Sequence, residues 1–223
     1  MKPDYSRDGI ELYCGDCLAL LPELEAGSVD AVVTDPPYGV KYADWDDEMP
    51  PQSFLDDCLR TATGQVIWFG AAPMTLEFGR YSPKPGRFLI WSPKFTLSHT
   101  GHNGYAYRWH PIATWRLEKQ KSHPWDIFHD ATMGHNWWNH PATKPVRLME
   151  RLAETCGQTI LDPFMGSGTT GVACIRKGRK FIGMEIDEKY FDIAVKRIEA
   201  EFDRHPLFDE LNEQKIDQSG LFS

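Results

Sequence analysis

Apolar positions along this chain alternate between two spacings. Compact runs rich in β-branched and aromatic residues predict strands at Ile10–Cys14, Val29–Thr34, Gln65–Phe69, Arg87–Trp91, Pro111–Arg116, Thr159–Leu161 and Lys180–Met184. Several of these are apolar enough to be buried on both faces. Stretches with three-to-four spacing predict helices over Gln52–Thr61, Lys144–Cys156, Thr169–Lys177 and Glu188–Phe202. Phe54, Leu55, Cys58 and Leu59 form one such apolar face, and Val146, Leu148, Met149 and Leu152 another. Strands alternating with helices define an α/β fold built on a mainly parallel sheet. In such sheets ligands sit beyond the carboxyl ends of the strands, so chemistry is expected in the loops after Thr34, Leu161 and Met184.

With 223 residues the chain makes one domain whose core needs no disulfide or structural metal. Residues 1–202 are expected to form that domain, with a small target-recognition insertion at about 80–140 and a polar C-terminal tail over 203–223. No apolar run approaches the roughly 20 residues of a membrane span. The N-terminus has no secretory-signal core, and the five cysteines suggest reduced thiols in a cytoplasmic protein.

The net charge of −8 speaks against a nucleic-acid partner until its distribution is considered. Residues 1–58 hold 3 basic and 14 acidic side chains, and residues 185–223 hold 5 and 11. Residues 79–147 hold 10 basic against 3 acidic, with seven of the eight histidines. Such a basic, aromatic middle suits a DNA or RNA surface, although uneven charge on a solvated face gives the same numbers.

Two loops carry the candidate chemistry. In Asp162-Pro163-Phe164-Met165-Gly166-Ser167-Gly168-Thr169-Thr170, two glycines let backbone approach a ligand at a helix N-terminus. Glu185 follows Gly166 by 19 residues, the spacing at which a carboxylate accepts hydrogen bonds from ribose hydroxyls. The third glycine of the dinucleotide fingerprint is missing, with Gly171 one residue late, and no phosphate-cradling Gly-Lys-Ser/Thr follows. A cofactor with a ribose and no required phosphate fits best. The second loop, Asp35-Pro36-Pro37-Tyr38, offers a carboxylate, carbonyls stripped of competing N–H donors, and an aromatic ring. Taken alone it serves equally as a rigid turn with a packed tyrosine.

Together, Asp-Pro-Pro-Tyr and Asp-Pro-Phe-x-Gly-Ser-Gly-Thr-Thr resemble the S-adenosylmethionine-dependent amino-methyltransferases of DNA bases. Cys14-Gly15-Asp16-Cys17 with Ser28-Val29-Asp30, His140-Pro141-Ala142-Thr143-Lys144-Pro145 and Gly183-Met184-Glu185 extend the resemblance over most of residues 10–200. The catalytic loop precedes the cofactor loop, as in the β subgroup. The resemblance implies a Rossmann-like methyltransferase fold, with a twisted, mostly parallel seven-stranded sheet and helices on both faces. It implies catalysis by Asp35, Pro36, Pro37 and Tyr38. It places S-adenosylmethionine on Asp16, Cys17, Asp35, Thr143, Lys144, Asp162, Phe164, Gly166, Gly168, Thr169 and Glu185, with Thr143 and Lys144 meeting its carboxylate. Asp in the first position of the catalytic loop favours adenine-N6 over the alternative, cytosine-N4.

The target is expected to be a base flipped out of double-stranded DNA, with Tyr38 stacking on it. Arg80, Lys84, Lys94, Arg108, Lys119 and Lys121 are the expected phosphate contacts, and Trp137, Trp138 and Asn139 the expected base readers. Trp91, Trp109 and Trp115, on strand-like runs, are expected in the core. No metal site is expected, since Cys14-x-x-Cys17 has no second pair and the histidines are scattered. The resemblance also admits a homodimer. Gln218-Ser219-Gly220-Leu221-Phe222 resembles the peptides by which bacterial DNA enzymes dock on a sliding clamp. Competing readings are an RNA or protein-amide substrate, a non-catalytic DNA-binding partner subunit, and a nucleotide-dependent oxidoreductase.

Overall fold

The computed structural model describes residues 1–39, 48–93, 109–116, 127–129 and 143–219, with side chains described as far as residue 204. All seven expected strands form, with ends shifted by at most two residues: β2 (Ile10–Cys14), β3 (Ala31–Thr34), β4 (Val66–Phe69), β5 (Arg87–Trp91), β6 (His110–Trp115), β8 (Thr159–Asp162) and β9 (Lys180–Glu185). Two more bring the sheet to nine strands among the described residues rather than seven, β1 (Tyr5–Arg7) and β7 (Ile127–Phe128). They escape a pattern reading because three and two residues are too short to display alternation.

The strand order is β1-β2-β9-β8-β3-β4-β6-β5-β7. Pairing is parallel from β2 through β9, β8 and β3 to β4, and β6 then runs antiparallel to both of its neighbours. From β3 the chain first adds β4 on one side and later β8 and β9 on the other. The order therefore reverses between β3 and β8, the place where open α/β sheets hold ligands.

β3 and β4 are buried at every position, as strands sandwiched between two layers must be. Their alternation sends Val32, Val66 and Trp68 to one face, against Phe54, Leu55, Cys58 and Leu59 of α2 (Gln52–Thr61). Val33, Ile67 and Phe69 face the other layer. That layer holds α3 (Val146–Glu154), α4 (Thr169–Arg176) and α5 (Glu188–Ser219). The short α1 (Cys17–Leu20) was not foreseen. α5 continues to Ser219, beyond the expected end at Phe202. Pro206 reads as a stop, yet Leu207, Phe208 and Leu211 beyond it keep helical spacing.

Trp91 and Trp115 are buried as expected, whereas Trp109 is only half-buried at the sheet margin. Three strands of the basic middle, β5, β6 and β7, belong to the main sheet. Their reversal decides which basic residues approach the ligand edge. β5 ends and β6 begins on the same edge as the end of β4, because Trp91 pairs with His110 and Phe69 with Ile112.

Candidate active site

Asp35, Pro36, Pro37 and Tyr38 leave the end of β3, while Asp162 ends the neighbouring β8, so the two loops rise side by side at the reversal point. The Tyr38 hydroxyl donates to Oδ1 of Asp35. Lys144 donates from Nζ to Oδ2 of Asp35 and, at 3.1 Å, to the Tyr38 oxygen. The Lys144 side chain is 9% exposed and that of Asp35 22%. A buried ammonium without an anion would cost far more than it could recover, so this pair holds each charge in place. Three rings close around the same ammonium, with centroids at 5.3 Å for Phe69, 5.7 Å for Tyr38 and 5.9 Å for Trp91. These are cation–π distances. Lys144 is thus seated on the catalytic loop, a placement that its position near the start of α3 did not reveal.

The glycine loop is built by backbone geometry. Gly166 and Gly168 have φ of +52° and +78°, a left-handed region that costs other residues energy. A Cβ on Gly168 would also stand 3.0 Å from the Cβ of Ala194. Gly171 would collide with Ile198 and Phe181 at 2.9 and 3.0 Å if it carried a side chain. It thus performs the close helix–sheet packing of the third fingerprint glycine from one position later.

Arg197, reaching from α5, clamps this loop. Its Nη1 donates to the Ser167 carbonyl and hydroxyl, both at 2.7 Å, and to the Thr169 hydroxyl at 3.2 Å. Burial lowers its guanidinium to about 10. Sequence reasoning missed this residue because nothing local distinguishes it from a solvated helix arginine.

Glu185 ends β9 beside the glycine loop. Its two oxygens accept the backbone N–H groups of Gly166 and Asp187, each at 2.9 Å. Burial raises its carboxyl above the usual range. Cys14 pairs with Glu185 across β2 and β9, which brings Asp16 and Cys17 to the same edge. Asp16 is exposed and caps α1 through the Leu18 N–H at 2.9 Å, whereas Cys17 is buried and its thiol is raised to about 12 by burial. Ile186 stands 66% exposed on the same rim. A fixed carboxylate beside an open apolar side chain suits a nucleoside, with its ribose hydroxyls on the acceptor and its base on the apolar face. The donor set therefore fits the cofactor implied by the sequence.

Asp162 faces inward instead. It is 3% exposed, accepting from the Thr170 hydroxyl at 2.5 Å and the Phe164 N–H at 3.1 Å, so it shapes the loop. The Phe164 ring packs on Phe54 at 5.3 Å, Thr169 is buried and Thr143 is half-buried. Burial raises the Asp162 carboxyl from 3.8 to about 7. The folded protein therefore keeps a proton that the unfolded chain releases above about pH 4. This group's contribution to stability is present below that pH, falls as pH rises to about 7, and is level beyond. Asp162→Asn preserves the shape without the charge. Its melting temperature relative to the parent should rise between about pH 4 and 7 and then plateau, as scanning calorimetry would record; a constant difference would contradict a buried neutral carboxyl.

The expected DNA contacts divide. Arg80 is exposed and pairs loosely with Glu77 at 3.9 Å. Lys84 is exposed but on the far edge, since its neighbour Pro83 accepts the indole N–H of Trp115 at the end of β6 and Gly86 bonds Thr114. It is not brought to the site, because β6 runs away from the catalytic loop and Lys84 lies where that strand ends. Lys94, Arg108, Lys119, Lys121, Trp137, Trp138 and Asn139 lie outside the described residues. Among the described residues no group of three or more His, Cys, Asp or Glu side chains is placed to hold a metal. No helix among them is long and apolar enough to cross a membrane.

A glycine loop edged by a fixed carboxylate, beside a Pro-Pro-Tyr loop at the reversal point of such a sheet, suits a transferase with a nucleoside cofactor. Residues 87–196 match the family model described as DNA methylase, the N6/N4 methyltransferases. The chain is 57% identical to the type II methyltransferase M2.DpnII of Streptococcus pneumoniae over 250 aligned positions, covering 90% of this chain and 93% of that protein. It is 26% identical to the DNA adenine methyltransferase YhdJ of Escherichia coli (strain K12), covering 98% and 92%. Among solved structures, the complex of M1.HpyAVI with SAM superposes with a TM-score of 0.65 at 24% identity, covering 84% of this chain and 99% of that one. The cytosine-N4-specific PvuII DNA methyltransferase superposes at 0.68 with 16% identity, covering 91% and 94%. The chain belongs to the DNA methylase family of N6/N4 methyltransferases, and it is a DNA methyltransferase.

Proposed function

We propose that this chain transfers the methyl group of S-adenosylmethionine to the N6 amine of an adenine extruded from duplex DNA. The observation that carries the reading is the adjacency of β3 and β8, which sets the Asp35 loop beside the glycine loop. When bound, the cofactor supplies an electrophilic sulfonium methyl. Glu185 would accept its ribose hydroxyls, Asp16 and Ile186 would flank the adenine, and the Gly166–Gly168 backbone would face its methionine end.

An exocyclic base amine is a poor nucleophile because its lone pair is delocalised into the ring. Asp35 accepts one of its N–H bonds and the Pro36 carbonyl the other, which draws the nitrogen towards tetrahedral geometry and frees the lone pair. In the transfer the methyl carbon would gain its bond to the amine nitrogen as its bond to sulfur breaks, the electron pair staying on the sulfur of the departing thioether, and the amine proton passes to Asp35. To receive the amine, Asp35 exchanges the hydrogen bond that Tyr38 makes to its Oδ1, while Lys144 stays on Oδ2, and the released Tyr38 ring stacks on the base. Orientation of the two reactants supplies most of the remaining acceleration.

The Asp at the head of the catalytic loop and the name of the relative YhdJ support adenine. Unmethylated DNA treated with the purified chain and cofactor, then digested to nucleosides, should yield N6-methyladenine on mass spectrometry; N4-methylcytosine in its place would overturn the base assignment. Two finer assemblies rest on sequence resemblance alone, a homodimer and docking of Gln218–Phe222 on a sliding clamp. A monomer in sedimentation would remove the first. Clamp capture unchanged by deletion of the last six residues would remove the second.

A further inference from the structure

His110 opens β6 directly opposite Trp91 of β5, on the edge of the sheet that carries the catalytic loop. The register stacks the two rings, with centroids 4.8 Å apart and planes 28° from parallel. The Trp91 ring in turn faces the Lys144 ammonium, which holds Asp35. One continuous path therefore runs from His110 through Trp91 and Lys144 to the catalytic carboxylate.

The state of the imidazole matters in this position. Its Nδ1 is buried and has no hydrogen-bond partner among the described residues. Protonation would create an unsatisfied buried donor, a costly arrangement. It would also place a second cation beside Lys144. The charged groups acting on His110 are Lys144, which opposes protonation, and Asp35, which favours it along with the Gly70 backbone. Burial and Lys144 prevail and lower the ring to about 4. The ring stacked on Trp91 is therefore neutral, and a cation in its place would compete with Lys144 for both the indole and Asp35.

We propose that His110 is a positioning residue for methyl transfer: as a neutral ring it backs Trp91 and, through Trp91, keeps the Lys144 ammonium seated on Asp35. This role rests on the catalytic reading of Asp35, and it is not legible locally because His110 is one of seven scattered histidines in the basic middle.

The test compares His110→Phe, His110→Lys and the parent at pH 7.5, measuring kcat, the KM for DNA, the cofactor Kd and the melting temperature. His110→Phe keeps a neutral stacked ring and should hold kcat within about threefold. His110→Lys places a fixed cation behind Trp91 and should lower kcat on the order of tenfold or more, with cofactor Kd unchanged. If His110→Lys also melts early, its kcat is taken at a temperature where calorimetry finds it folded. His110→Met, as long as lysine but uncharged, should stay within about threefold of the parent, which a loss through mispacking would not allow. Full turnover by His110→Lys, or an equal loss in His110→Phe, would overturn the role. Failure of the underlying reading is separable, since it would appear as an active Asp35→Ala.

Discussion

Asp35→Ala is expected to lower methyl transfer by about 10³-fold or more while leaving cofactor affinity within a few-fold of the parent. The separation follows from the geometry. Asp35 follows its strand on the side of the site occupied by Tyr38 and Lys144, whereas the nucleoside pocket proposed above lies at Glu185 and the glycine loop. Removing the carboxylate also leaves the Lys144 ammonium, 9% exposed, without its anion. Some loss of stability should accompany the loss of activity, because a buried unpaired charge is costly. Asp35→Asn resolves the two effects. It retains an acceptor and the shape of the loop but cannot take up the amine proton, so it should remain nearly inactive. Single-turnover transfer to duplex DNA, with calorimetric titration of the cofactor, measures both quantities. Turnover by Asp35→Asn above a few per cent would remove Asp35 from its assigned role.

Glu185→Ala should produce the complementary defect. Its carboxylate is fixed by the N–H groups of Gly166 and Asp187, so its free lone pairs are pre-aimed and little ordering cost remains when a diol binds. Hydrogen bonds to a charged acceptor contribute roughly 1.5–3 kcal/mol each, so with two hydroxyls cofactor affinity should fall about 10²-fold or more. Because Gly166 also loses its partner, part of that fall reflects a loosened loop. Glu185→Gln keeps one acceptor oxygen and should be intermediate. Saturating cofactor should return much of the turnover, since Asp35, Lys144 and Tyr38 are untouched. Unchanged calorimetric affinity in Glu185→Ala would place the ribose elsewhere.

The contrast between these variants reflects how much of the molecule is written locally. The seven longer strands were legible because each is a short apolar run between turn or helix signals, and β3 and β4 are buried on both faces. The Asp35 and Gly166–Gly168 loops were legible because their chemistry lies in consecutive residues. What joins them was not. Lys144 meets Asp35 across 109 positions of sequence, and Arg197 reaches Ser167 across 30. The motif that holds Lys144 points it to the cofactor's carboxylate, and Arg197 is an ordinary basic residue on a polar helix, until the fold seats each.

The same limit explains Lys84 and His110. Charge density suggested one basic surface over residues 79–147, yet the antiparallel β5–β6 pair separates its ends. It sends Lys84 to the edge away from Asp35 and brings His110 towards it. Only strand direction distinguishes the two, and composition carries no information about direction. Gly171 gives the converse case. A motif reading scores it as misplaced, while its packing against Phe181 and Ile198 shows the required contact made from the next position.

The claim on which the account depends is that the nucleoside pocket and the Asp35 loop form one site. A crystal structure with S-adenosylhomocysteine, the product cofactor, tests it most directly. Ribose hydroxyls are expected on Glu185 and a sulfur turned towards Asp35, leaving room for a methyl group within about 3–3.5 Å of an amine held there. A nucleoside bound away from Glu185, or a sulfur facing away from Asp35, would contradict it.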